Sequence, residues 1–346
     1  MPEVREVFEM STRAVRPQAG ALQRQHRRQR RHRLTQRAAV FAVAACIVAV
    51  IAAAIGSGWS NPAHEPGGTK VPSPTTPPPV LVSIDPATGA VEGRVVGDVS
   101  PAFRGSVSPD GSRVAFVRVV KGHEQLFVTN VTGRPTRLTG ADEGGCGCGS
   151  FDPAWSPDGR TIAFAGIDLA GNQDIYVVNV ADGTIRRITH DLSLDGMPTW
   201  SPDGRTIAFT RGQQAHAALW TVDVADGRLT LVTSGQGGDD PAWSPDGSTI
   251  AFSGTAVDGS GTDLWLVRPD GTGLRRLADA AVQDTSPSWS PDGGSIAFAA
   301  FRSDARPPVT DIDVVDVATG HVVVLASELD DPAWSPAGTS ILALRP

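Results

Sequence analysis

From Val80 onward, hydrophobic and polar positions alternate in short runs broken by Asp-Gly, Thr-Gly and Pro-Asp-Gly. A period of two predicts half-buried strands, and the breaks predict tight turns between them. Helical spacing of apolar positions does not occur in this region, so the prediction is strands throughout.

One hairpin recurs. "DPAWSPDGRTIAF" begins at Asp152, "MPTWSPDGRTIAF" at Met197, "DPAWSPDGSTIAF" at Asp240, "SPSWSPDGGSIAF" at Ser286, "DPAWSPAGTSILA" at Asp331 and "RGSVSPDGSRVAF" at Arg104. The turn prolines, Pro109, Pro157, Pro202, Pro245, Pro291 and Pro336, stand 48, 45, 43, 46 and 45 residues apart. A period of this size made of strands alone predicts four-stranded propeller blades. A second strand-turn-strand pattern follows most copies, as in "DIYVVNVADGTIRRIT" from Asp174 and "DIDVVDVATGHVVVLA" from Asp311. None follows the copy at Asp331, but "VLVSIDPATGAVEGRVV", from Val80, precedes the first copy. The expected fold is therefore an all-β, six-bladed β-propeller closed by N- and C-terminal strands in one blade, so that no sheet edge at the ends is left open.

The hairpin residues have structural work to do. Proline two positions before Trp suits an inner strand whose missing N–H would face no partner. Trp155, Trp200, Trp243, Trp289 and Trp334 are expected to pack between neighbouring blades, against the small residue that precedes each Trp. Ser-Pro-Asp-Gly suits the turn, because proline fixes φ, Asp bonds nearby backbone and Gly accepts positive φ.

The pattern changes before Val80. "AAVFAVAACIVAVIAAAI", Ala38 to Ile55, is eighteen residues without a charge or a proline, long enough to cross a bilayer as a helix. Charge decides its direction. Residues 1–37 carry ten Arg against three Glu, or +7, so the net charge of −7 leaves −14 on the rest. The positive-inside rule then places residues 1–37 in the cytoplasm and the rest of the chain outside. A cleaved signal peptide is the rival reading, with "AAA" at 52–54 as its cleavage site, although its basic region would be unusually long. The expected domains are a basic cytoplasmic arm (1–37), a transmembrane anchor (38–59), a Pro-rich tether (60–79) and the propeller (80–346). The Arg-rich stretch "RQHRRQRRHR", Arg24 to Arg33, is read as a topology signal that also touches anionic lipid, and no nucleic acid is expected.

Candidate chemistry is sparse. The chain has no G-x-S-x-G elbow, no H-E-x-x-H pair and no P-loop, and its seven His form no motif. Cys146 and Cys148, in "GGCGCG", would close a strained ring if joined, and two thiolates alone make a poor zinc site. No catalytic residue, metal or cofactor is expected.

The W-S-P-D-G-x-x-I-A-F signature resembles the repeats of the TolB-type, WD-repeat-like β-propellers, and the resemblance covers Val80 to Pro346. Two copies depart from it: Val107 replaces Trp, and Ala337 replaces Asp. The resemblance implies six blades, an extracytoplasmic setting and binding of a protein or small ligand at the tunnel mouth. It also reaches blades found in lyases and beside hydrolase domains, and an anchor and tether stand here in place of the separate α/β domain of TolB.

Three residues before each Trp position the copies read Arg104, Asp152, Met197, Asp240, Ser286 and Asp331, so carboxylates recur on alternate blades. Asp195, Asp239, Asp284 and Asp330 are expected close by. The plain reading is that Asp before Pro starts the strand by bonding backbone N–H groups. The functional reading takes Asp152, Asp240, Asp331 and Arg104 as a ligand-binding rim, where clustered negative charge attracts a basic segment of a partner or a polyamine.

Overall fold

The computed structural model describes residues 80–94, 102–120, 123–130, 134–140, 149–168, 170–212, 217–257, 259, 261–278, 283–303 and 309–345. The expected arm, anchor and tether, and both loop cysteines, lie outside these. Among the described residues no helix is long and apolar enough to cross a membrane.

The architecture is all-β and propeller-like. Strands β1 (Val80–Ile84) and β2 (Val91–Arg94) come first, followed by β3 (Ala102–Val107), β4 (Arg113–Val120), β5 (His123–Asn130) and β6 (Thr136–Arg137). Next come β7 (Gly149–Trp155), β8 (Thr161–Ile167), β9 (Gln173–Asn179) and β10 (Ile185–Arg187), then β11 (Asp195–Trp200), β12 (Thr206–Arg211), β13 (Ala218–Asp223) and β14 (Leu229–Leu231). The series continues with β15 (Gly237–Trp243), β16 (Ile250–Thr255), β17 (Thr262–Val267) and β18 (Arg275–Ala278), then β19 (Gln283–Trp289), β20 (Ser295–Arg302), β21 (Val309–Asp316) and β22 (Val322–Ser327). Last are β23 (Asp330–Trp334) and β24 (Ile341–Arg345).

Antiparallel neighbours in sequence pair to form the meanders β3-β4-β5-β6 and β7-β8-β9-β10, while β11 to β22 join into one longer path. That path is three such meanders tied by single parallel bridges, Ala218 to Gly237 and Thr262 to Gln283. The closing sheet has the order β2-β1-β24-β23. Within it the first and last strands pair over five positions, from Val80 opposite Arg345 to Ile84 opposite Ile341. The N- and C-terminal strands therefore share one sheet, as the pattern from Val80 to Val96 implies.

Between successive sheets lies the core. Trp200 packs with Ile207, Phe209 and Val222 of its own sheet against Ala163, Ile175 and Val177 of the preceding one. Its indole N–H donates to the Ala154 carbonyl at 3.1 Å. Trp155 donates likewise to Ser106 at 3.0 Å and Trp289 to Ala242 at 3.0 Å. The acceptor each time is the small residue before the Trp position of the preceding sheet, so the small side chain leaves room for the indole to reach backbone. Arg113 lies over the Trp155 ring, 4.6 Å from its centroid.

Each Ser-Pro-Asp-Gly turn satisfies its own polar groups. In the β11–β12 turn the Ser201 hydroxyl donates to Asp203 at 2.6 Å and accepts from the Thr206 N–H at 3.0 Å, while Asp203 also accepts from the Arg205 N–H at 3.1 Å. Gly204 closes the turn at φ +70°. Donated hydrogen bonds hold these carboxyls below their ordinary range, Asp203 through Ser201 and Asp110 down to about 2 through Ser108. Where Ala337 replaces Asp, Ser335 still accepts from the Ser340 N–H at 3.0 Å, which keeps the turn.

Closure by β1 against β24 carries a consequence for stability. Deleting Ile341 to Pro346, or separately Val80 to Val96, is expected to lower the thermal midpoint by on the order of 10 °C in one cooperative step, since either cut removes a whole strand ladder. Melting of the two shortened chains at the full-length midpoint would show that the pairing contributes nothing.

Candidate functional site

The inner strands β7, β11, β15, β19 and β23 converge on a cavity of about 390 Å³. Each carries the proline that the hairpin repeats, and Pro153, Pro198, Pro241, Pro287 and Pro332 all line it. Proline has no N–H to leave unsatisfied on the inner edge of a sheet, which is the physical reason this position tolerates it.

The residue before each proline has a feature that sequence reasoning missed. Asp152 (φ 49°), Met197 (φ 53°), Asp240 (φ 49°), Ser286 (φ 52°) and Asp331 (φ 53°) all take left-handed backbone. Strand register slips at the same place in every case, for example between Phe151 and Ala154 and between Asp239 and Ala242. These residues are therefore bulge residues, where one extra residue turns the strand. Asp is among the few non-glycine side chains that tolerate this backbone, because its short polar group bonds locally. The one available sequence signal was Asp before Pro, which fits a strand start equally well.

Asp152, Asp240 and Asp331 line the cavity together, with Met197 and Ser286 between them in chain order. Arg104 lies in β3, whose register slips between Phe103 and Gly105; its side chain is outside those described, and Gly105 is the β3 residue at the cavity. The neighbouring carboxylates divide. Asp195 and Asp284 are fully buried. Asp195 is clamped by two 2.7 Å bonds from Arg211, which also reaches Asp191 at 2.6 Å. Burial pushes the Asp195 carboxyl up from its ordinary range, with the Arg211 hydrogen bonds opposing. Asp174 pairs with Arg187, and Asp311 and Asp313 share Arg302 at 2.9 and 2.5 Å. These ion pairs fasten strands within the sheets and are not part of the rim. Asp239 and Asp330 are half-buried beside it.

Chemically, the described lining combines carboxylates, hydroxyls, proline and tryptophan, and includes no His or Cys. Among the described residues no group of His, Cys, Asp or Glu is disposed to hold a metal ion. Such a surface accepts hydrogen bonds and positive charge.

The model of the TolB beta propeller domain matches residues 83–240 and 237–345. The chain belongs to the TolB-type β-propeller family. A TolB homolog of Chlorobium luteolum is 34% identical over 169 residues, 49% of this chain but only 37% of the relative's length. An uncharacterized protein of Agrobacterium fabrum is 28% identical over 251 residues, covering 69% of this chain and 68% of its own. TolB from Acinetobacter baumannii superposes with a TM-score of 0.55 at 20% identity, over 68% of this chain and 64% of that one. An oligogalacturonate lyase in complex with manganese reaches 0.52 at 17% identity, over 78% and 97%. At these identities the solved structures show the fold alone.

Backbone and charge at the rim can be separated by substitution. Asp240→Asn keeps the left-handed preference and is expected to change stability little, whereas Asp240→Val, branched at Cβ, is expected to cost about 1–2 kcal/mol more. Urea unfolding of the two variants measures the difference; equal losses would mean that the bulge does not select the residue.

Proposed function

We infer that this protein is a binding module: a six-bladed TolB-type propeller, held outside the cell membrane by an N-terminal helix (38–59) and tether (60–79), that captures a basic segment of a partner protein at the tunnel mouth. The observation that carries this reading is the common lining of one cavity by Asp152, Asp240 and Asp331, on a propeller portion far more acidic than the arm. Carboxylates at a concave, low-dielectric opening focus field and draw in cations. Three separate inner strands supply them, so an extended chain with several ammonium or guanidinium groups suits the rim better than one ion. A propeller enzyme of lyase or hydrolase type, and a transmembrane sensor acting through arm 1–37, are the alternatives; the first rests on likeness of fold and the second on composition.

The test uses spermine as a defined cation. Full-length protein is expected to bind it with an affinity that falls as salt rises, and Asp152→Asn, Asp240→Asn and Asp331→Asn combined should weaken binding about tenfold or more at low salt with the melting midpoint roughly intact. Binding equal in the triple variant places the site elsewhere. Orientation is tested apart from binding. A reporter enzyme that works only outside the cytoplasm is expected to be active when fused after Pro346, because ten Arg precede the apolar segment. Activity of a cytoplasm-only reporter at that position would reverse the topology.

A further inference from the structure

Met197 breaks the chemistry of the rim. The other residues at its bulge position, Asp152, Asp240, Ser286 and Asp331, have short oxygen-bearing side chains, whereas Met197 brings a thioether. It is the only methionine among the described residues, half-buried and part of the cavity lining. Two groups approach its sulfur. The Asp240 backbone N–H donates to Met197 Sδ at 3.3 Å. The Thr210 hydroxyl lies 3.7 Å from the same atom, but its single proton is placed for the Gly238 carbonyl at 2.8 Å. One lone pair is thus engaged by Asp240, and the other remains available on a side chain that borders open space.

We propose that Met197 is an oxidative modification site whose sulfoxide completes the ring of oxygen acceptors at the cavity. The oxidant is a hydroperoxide, small enough to enter the cavity. The free Sδ lone pair attacks one peroxide oxygen, the O–O bond breaks, and the proton on the transferred oxygen passes to the departing one. Sulfur is oxidised by two electrons and hydrogen peroxide is reduced to water. The product is polar and a far stronger acceptor than the thioether. In an apolar core that change would disrupt packing, but here the neighbours of the sulfur are a backbone amide, a hydroxyl and the cavity. The rim then carries an oxygen at each of the five bulge positions.

The consequence for binding rests on the cation reading above; the modification itself does not. Full-length protein is treated with hydrogen peroxide and mapped by mass spectrometry, then returned to the reduced form with the two methionine sulfoxide reductases. Met197 is expected to gain about 16 Da, one oxygen, while the protein stays folded and its melting midpoint holds. Spermine affinity is expected to rise about fivefold, the worth of one added hydrogen bond, and to fall back on reduction. Met197→Leu should abolish the response to peroxide, and Met197→Gln, which supplies an amide oxygen, should raise affinity without it. Oxidation of Met197 only after denaturation in urea, or a melting midpoint that drops by several degrees on oxidation, overturns the site. Equal spermine affinity in the oxidised and reduced forms overturns its role at the rim. If spermine binds neither form, the cation reading fails, and mass and melting alone decide the modification.

Discussion

The structure depends on the indoles that β7, β11, β15, β19 and β23 send into the sheets before them. A four-stranded antiparallel sheet of this size has two faces to cover and cannot cover either by itself. Trp200 solves this by lying against Ala163, Ile175 and Val177 of the preceding sheet while its N–H reaches the Ala154 carbonyl. Apolar area drives the contact, and the hydrogen bond fixes its register, since a buried indole N–H without an acceptor is costly. The same bond recurs at Trp155 and Trp289, where the residue before the preceding Trp position is small and its carbonyl is reachable, whereas Trp243 and Trp334 pack without it.

The cavity follows from the same geometry. Inner strands seated on the preceding sheets by their tryptophans bring their edges to one cavity, and a free edge needs groups that tolerate being unpaired. Proline removes the donor, and a left-handed residue before it interrupts the regular ladder with a bulge. Conformation and charge therefore act on the same atoms at Asp152, Asp240 and Asp331. The preference of Asp for left-handed backbone accounts for the residue type, and convergence of the strands turns three locally chosen carboxylates into a shared surface. Met197 occupies the position without that chemistry, its sulfur taking the Asp240 amide.

The hairpins, their turns and the pairing of the first strand with the last are legible in the sequence, because each rests on local chemistry or on a repeat. "SPDG" states its own turn, and "VLVSIDPATGAVEGRVV" can be matched to the half that the copy at Asp331 lacks. The bulge is not legible, since Asp-Pro reads equally as a strand start until the slip between Phe151 and Ala154 is seen. Nor are the ion pairs. Asp195 and Arg211 are sixteen residues apart on paired strands, and a carboxylate bound for such a clamp looks in sequence like one bound for the rim. Asp195 and Asp284, expected close to the rim, are fully buried, Asp195 in the grip of Arg211, while Asp152, Asp240 and Asp331 line the cavity.

The junction at β3 shows what the repeat requires and what can replace it. Val107 stands there in the Trp position, so no indole reaches back from β3. The turn contact is missing as well. A Cβ at Gly159, Gly204, Gly247, Gly293 or Gly338 would meet the Cδ of the preceding turn proline at 3.8, 3.9, 3.6, 3.8 and 3.5 Å, whereas one at Gly111 would meet nothing within 4 Å. Both losses fall on the junction next to the closing sheet. There the five-position ladder between β1 and β24 ties the C-terminal strands to the N-terminal pair, and the chain itself runs on from that pair into β3. That ladder holds the two ends of the chain together within the closing sheet, beside the junction that lacks an indole. The copy that departs from the pattern is thus the one next to the sheet in which the first and last strands pair.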